Sequence, residues 1–252
     1  MKRMKILAAA AALLGLAVTP VAAQTAEEIV GKYHDAMGGV AKVKSLETVR
    51  MTGKTVVGGG QEAGFILERK RPSAVRSEIE FMGTVNVQAF DGESAWQYMP
   101  VMGMTEPEAF PPEDSKEAKE QADFDGPLVD WKEKGVKLEY LGKEAYDGKD
   151  CHKLRITEKD GSSRIYFLDV ATNLLVRETA KAPADGGERD VEVLYRDWRD
   201  VGGFKFPFEL ESRVVDGPPG QLLKFEKIEP NVPLDAARFK MPPKPAPVPE
   251  EK

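Results

Sequence analysis

Two histidines, His34 and His152, one cysteine, Cys151, and an excess of carboxylates are the residues of this chain that can do proton, metal or nucleophilic chemistry. Their spacing supports little of it. His152 follows Cys151 directly, and adjacent residues of a strand point to opposite faces, so the two do not easily share one ion. A zinc site takes about four protein ligands, or three and a water. His34 falls on the polar side of a predicted helix. There is no G-x-S-x-G nucleophile elbow and no H-E-x-x-H pair. Gly58-Gly59-Gly60 joins two strand-like stretches, so it lacks the helix N-terminus that a phosphate loop uses and reads as a hairpin turn. Asp123, Asp125 and Gly126 are like the start of a calcium loop, but the twelve-residue ligand pattern is missing. Carboxylates abound by composition, and nothing singles out an acid and a base. No catalytic residue, metal or cofactor is expected.

The first residues bear on compartment. Lys2, Arg3 and Lys5 precede an apolar run from Ile6 to Val18, and Val21-Ala22-Ala23 places small residues before Gln24. That is the pattern of a secretory signal peptide over residues 1–23. The run is short for a membrane span, which needs about 20 residues. No cysteine follows the expected cleavage point, so no lipid anchor is expected there, and a periplasmic, exported product starting at Gln24 is. The chain has 36 basic and 42 acidic residues, and removing the leader's three cations leaves 33 against 42, a net of −9. An acidic chain without a basic cluster is a poor nucleic-acid binder. With one cysteine it has no intrachain disulfide, and Cys151 reads as a small buried residue rather than a reactive thiol.

The elements that would position a site are mostly strands. Ala26, Ile29, Val30, Tyr33, Ala36 and Met37 recur at helical spacing, with a Thr25/Glu28 capping box ahead and Gly38-Gly39 behind. A second short helix is expected over about Val40 to Leu46. From Glu47 the period becomes two, with turn signals at Gly58-Gly59-Gly60, Arg71-Pro72-Ser73, Gly83 and Asp91-Gly92. A polar helix is expected in "EDSKEAKEQADF". Strands resume from Val136 to Glu229, and residues 243–252 form a proline-rich tail. The pattern predicts a mainly β fold: about eleven antiparallel strands in one curved sheet or barrel, covered in part by helices, in one domain over residues 24–242. A charged outer face argues against a transmembrane barrel.

The segment "RKRPSAVRSEIEFMG" sets the question of function. Val75, Ile79 and Phe81 share one strand face, while Arg76, Glu78 and Glu80 share the other. If the preceding strand with Phe65 and Leu67 keeps the same parity, Arg71 points toward the apolar side. The candidate apolar wall is Phe65, Leu67, Val75, Ile79, Phe81, Val85, Val87, Trp96 and Tyr98. It reads either as a packed core or as the lining of a cavity for an apolar ligand. Met99, Met102 and Met104 form either a lid over such a cavity or a plain loop.

"RKRPSAVRSEI", then "AFDGESAWQYMP", and finally "LDAARFKMPP" resemble the periplasmic lipoprotein carriers of the LolA/LolB type. The matching parts are Lys70-Arg71-Pro72, then Asp91-Gly92 with Trp96, Tyr98 and Pro100, then Asp235 with Phe239 and Pro243. The resemblance implies a half-open barrel with helices as a lid over an apolar cavity for lipoprotein acyl chains. It also implies that Arg71 bonds to the lid backbone as a latch. The alternative for Arg71 is a strand-end residue reaching solvent. Val101 to Trp131 and the proline-rich tail depart from the carriers. The resemblance implies a non-enzymatic carrier of acyl chains, with an inner-membrane donor and an outer-membrane acceptor; the charged outer sheet face makes a monomer the expectation. The rivals are an envelope-stress sensor of the RseB type, a hydrolase using acidic residues, and a ligand-free scaffold.

Overall fold

A computed structural model describes residues 24–57, 60–111, 115, 118–119, 122–184 and 187–243. The expected leader, half of the expected polar helix and nearly all of the tail lie outside the described residues. Two helices open the fold: α1 (Ala26–Ala36) and α2 (Val40–Lys44). The Thr25 side chain accepts from the Glu28 amide at 3.2 Å and the Glu28 carboxylate accepts from the Thr25 amide at 3.0 Å, which fixes the start of α1. Ile29 and Val30 are its most buried residues, as the apolar stripe requires.

Thirteen strands follow. They are β1 (Thr48–Val57), β2 (Gln61–Lys70), β3 (Ala74–Phe81), β4 (Thr84–Phe90), β5 (Ala95–Tyr98) and β6 (Glu108–Ala109). After a long connection come β7 (Lys137–Tyr146), β8 (Lys149–Thr157), β9 (Ser163–Asp169), β10 (Leu175–Ala184), β11 (Gly187–Val201), β12 (Phe204–Val214) and β13 (Gln221–Pro230). The count exceeds the expected eleven, in part because the two-residue β6 carries no periodicity for a sequence to show. All thirteen lie in one sheet, ordered β6-β5-β4-β3-β2-β1-β13-β12-β11-β10-β9-β8-β7. The two meanders meet where β1 pairs antiparallel with β13. β6 and β7 stand at opposite ends of that order, so the sheet is an open one rather than a closed barrel.

The β1–β13 seam depends on a glycine. The register shifts between Thr52 and Gly53, and a Cβ on Gly53 would lie 2.0 Å from the Lys224 carbonyl oxygen.

The concave face holds two apolar clusters. One packs Ile29 and Val30 of α1 on Leu154, Ile156, Tyr166 and Leu168. The other gathers Leu46, Val49, Phe65, Phe204, Phe206, Phe208 and Phe225.

The outer face is different. After β13 the chain turns back as a strap over β1 to β5. Asn231 accepts from the Glu47 amide, Lys70 Nζ donates to the Leu234 carbonyl, and Trp96 Nε1 donates to the Phe239 carbonyl at 2.7 Å. Beneath it Glu68, with 0% of its surface exposed, accepts from Arg50 Nε at 2.7 Å and Arg238 Nε at 2.8 Å. A carboxylate so deep is tolerated because both oxygens are occupied by guanidinium donors. Glu68→Ala would strand Arg50 and Arg238 and loosen the strap. The partners are partly exposed, so the expected loss is about 2–4 kcal/mol of stability, read as a lowered thermal midpoint.

Candidate functional site

The concave face is not filled. A cavity of about 370 Å³ lies between the sheet and a cover made of α1, α2 and the connection over residues 123–129. That volume falls in the range of ligand pockets, about 300–1,000 Å³. Its lining is largely apolar: Met37 from α1, Val43 and Leu46 around α2, Leu67 from β2, Trp198 from β11, Phe206 and Leu210 from β12, and Phe225 from β13. Tyrosines 33, 166 and 195 and His34 also face it.

Arg71 ties the cover to the rim of the sheet. Its Nε donates to the Leu46 carbonyl at 2.7 Å and Nη2 to the Val43 carbonyl at 3.1 Å, both on or just after α2. Nη1 and Nη2 grip Asp125 in a two-pronged ion pair, each at 2.6 Å. The guanidinium also lies 4.7 Å from the Phe124 ring centre. One strand-end side chain thus holds α2 and the 123–129 connection at once. The paired hydrogen bonds satisfy most of its donors, which offsets the cost of its partial burial. Arg69, two residues earlier on the same face, donates from Nη2 to the Asp123 carbonyl at 2.7 Å. Lys134 Nζ reaches Asp123 Oδ2 and the Gly126 carbonyl, folding the connection on itself. Lys44–Asp130 and Lys132–Glu27 pairs tie the connection to α2 and α1 at the surface.

The tyrosines are poor acids here. Burial, assisted by the Glu178 carboxylate, pushes Tyr33 up to about 12 and Tyr166 and Tyr195 well above the usual tyrosine value. Burial lowers the proton affinity of His34, with smaller opposing effects from a bond to the Leu128 backbone and from Asp35 and Asp130.

Among the residues expected to form the wall, Leu67 lines the cavity. Phe65 and Ile79 share its face and pack in the adjoining phenylalanine cluster. Val75 packs against Phe90 and Ala95, and Phe81 is half-buried on the same face, opposite Thr84. Val85, Val87, Trp96 and Tyr98 do not belong to this wall. Val87 pairs with Glu78 and Tyr98, and Trp96 with Ala89, so all four lie on the outer face. The reason is the two turns that flank β4. Met82 and Gly83, both at positive φ, make a two-residue hairpin that pairs odd with even positions and turns the odd residues Val85 and Val87 outward; the turn over residues 91–94 exchanges parity again, so in β5 it is the even residues Trp96 and Tyr98 that face outward. Trp96 is sealed by the strap, not by a ligand.

Met99, Met102 and Met104 also lie elsewhere. They belong to the turn after β5, where the Met99 amide contacts the Met104 sulfur and Met102 is 79% exposed. Their place as cover is taken by α1, α2 and residues 123–129. The sequence reading missed Tyr33, His34 and Asp125 as site residues. His34 stands four residues after Val30 and three before Met37, so helical spacing alone could have placed it on the inward stripe. Cys151 and His152 point apart: Cys151 is buried beside Phe167 and Val176, whereas His152 Nδ1 meets the Tyr140 hydroxyl at 3.2 Å. Among the described residues no group of three or more His, Cys, Asp or Glu side chains is placed to hold a metal.

No protein-family model matches the chain, and no curated protein is significantly similar to it in sequence. Solved structures are similar in fold. A DUF1329 family protein from Desulfovibrio piger superposes with a TM-score of 0.60 at 13% identity, covering 86% of this chain and 98% of that one. A LolA superfamily protein from Nitrosomonas europaea does so at 0.55 and 15%, over 86% and 98%. A domain from Vibrio parahaemolyticus, described as an outer-membrane lipoprotein-sorting protein, does so at 0.56 and 12%, over 84% and 94%. The chain therefore has the LolA-like fold: an open antiparallel sheet wrapped around a cavity under short helices.

Two outcomes test this geometry. Arg71→Leu removes the tie to both parts of the cover, and amide exchange in α2 and residues 122–130 should quicken by about tenfold or more, while β8 to β11 stay protected. His34 is held neutral in the fold, so below about pH 6.5 the unfolded chain takes up a proton that the folded chain resists, and stability falls with pH. His34→Gln should flatten the decline of the thermal midpoint between about pH 6.5 and 5.

Proposed function

We propose that this protein is an exported, periplasmic binding protein that holds acyl chains of lipids or lipoproteins in the cavity beneath α1 and α2, without catalysing a reaction. The observation that carries this reading is the unfilled apolar cavity under a cover fastened by Arg71. A sheet of this size could have closed on a solid core. Instead its centre stays open, and the cover is secured by separable side-chain bonds, those of Arg71 above all, with Arg69 beside it. Burying a chain contributes about 0.8 kcal/mol per methylene, enough for useful affinity after ordering costs. Entry of a chain would lift α2 and the 123–129 connection, and the Arg71 bonds would break and re-form as it leaves. In the finer form of the proposal the protein is a carrier that takes lipoproteins from an inner-membrane donor and passes them to an outer-membrane acceptor. The fold it shares with the Vibrio lipoprotein-sorting domain supports that form.

Gentle purification from an exported preparation, followed by native mass spectrometry, tests the proposal, with Arg71→Leu in parallel. Bound acyl species are expected, with altered retention in the variant. A clean ligand-free mass, together with no uptake of added fatty acid or lipopeptide by either protein, would overturn it.

A further inference from the structure

One part of the cavity wall is polar, and nothing in an acyl-chain site requires it. Glu178, on β10, lies directly opposite Tyr166 of β9 on the concave face. Its Oε2 accepts from the Tyr195 hydroxyl at 2.9 Å, and its Oε1 accepts from Arg164 Nη1 at 2.9 Å. Arg164 Nη2 donates in turn to Glu158 at 2.6 Å. Glu178 is thus a fixed acceptor that shares Arg164 with Glu158, and its side chain is only 12% exposed. Tyr33, Tyr166 and Tyr195 gather around it from α1, β9 and β11, and all three line the cavity. Among the described residues no hydrogen bond holds the hydroxyl of Tyr33 or Tyr166. A phenol buried against hydrocarbon is expected to find a partner, because leaving it unmade costs the full desolvation of the group.

We infer that Tyr33, Tyr166 and the Glu178–Tyr195 pair form a polar subsite within the cavity that selects acyl chains bearing a hydroxyl group. The inference rests on the acyl-chain reading and names the class of chain. The donor and acceptor pattern favours a hydroxyl. The three phenols face the cavity with Glu178 behind Tyr195, and a phenol hydroxyl can both donate and accept, so the hydroxyls of Tyr33 and Tyr166 offer one donor and one acceptor site each. A hydroxyl supplies both, whereas an ester carbonyl supplies only an acceptor and a second carboxylate would be repelled by Glu178. A plain hydrocarbon chain would exclude water from these groups and leave them unpaired, the situation that makes polar sites discriminate most strongly. Burial makes all three tyrosines weaker acids than usual, which keeps them as neutral donors across the physiological range.

The test uses lipid-stripped protein and displacement of a fluorescent fatty acid by octadecanoate, 3-hydroxyoctadecanoate and 12-hydroxyoctadecanoate. At least one hydroxy acid should bind about tenfold more tightly than the parent acid, the size expected of one or two hydrogen bonds in a dry site. The double variant Tyr33→Phe/Tyr166→Phe keeps the ring packing and should lose that preference while still binding octadecanoate. Equal affinity for the three acids, or a preference that survives in the double variant, would overturn the subsite and leave water as the partner of the phenols. If octadecanoate and both hydroxy acids all fail to bind the parent protein, the acyl-chain reading fails together with it. Octadecanoate binding without a preference leaves that reading standing and removes only the subsite.

Discussion

Arg71 is the point where sheet, helix and connection meet. Residues from three parts of the chain, 43–46, 71 and 124–125, come together around one guanidinium. Its geometry suits the task. A planar fork can grip a carboxylate with two parallel bonds and still donate from Nε and a second edge to backbone carbonyls. Each of those carbonyls sits near the end of a five-residue helix, too short to be stable by itself and dependent on such tertiary contacts. Losing that cation would leave the Asp125 carboxylate facing an apolar wall, so the cover is stable only while the rim holds it. The same bonds are few and local, so they can be broken without disturbing the strands.

The strands owe their firmness to the other face. There, ion pairs run across the ladders alongside small apolar clusters: Arg50 and Arg238 on Glu68, Arg177 and Arg213 on Glu192. Glu68 and Glu192 are nearly inaccessible, and each serves two arginines. The C-terminal strap adds Phe239 and Leu234 over Ala74 and caps the Trp96 indole. Rigidity is therefore built from outside, which spares the concave side from having to be filled. A sheet stiffened in this way can surround an open volume without collapsing into it.

Within that volume the distribution of polarity is uneven. Leu67, Phe206 and Phe225 make a hydrocarbon surface, while the tyrosines around Glu178 make a neutral hydrogen-bonding one. Both oxygens of Glu178 are occupied, by Arg164 and by the Tyr195 hydroxyl, which holds this side chain in place beside the cavity. A cavity lined in this way has an orientation as well as a capacity.

The sequence by itself determined the mainly β class, the hairpin succession and the capped first helix, and it left Arg71 between an inward and a solvent-reaching position. These follow from short-range rules: period-two alternation, turn residues and a capping box. It also placed Phe65 and Leu67 on the concave side. Tertiary structure alone decided the rest. The side of the sheet taken by Val85 and Val87 depended on the Met82-Gly83 turn, and that taken by Trp96 and Tyr98 on this turn and the one over residues 91–94 together, since each of them exchanges odd for even. The partners of Arg71 lie 25 to 54 residues away, at Leu46, Val43 and Asp125, and no local pattern encodes them. That the centre stays empty is a property of volumes from the two helices, the 123–129 connection and seven strands (β1, β2 and β9 to β13) together. Apolar residues that pack a core and apolar residues that line a cavity have the same composition and the same period, so only their three-dimensional arrangement tells them apart.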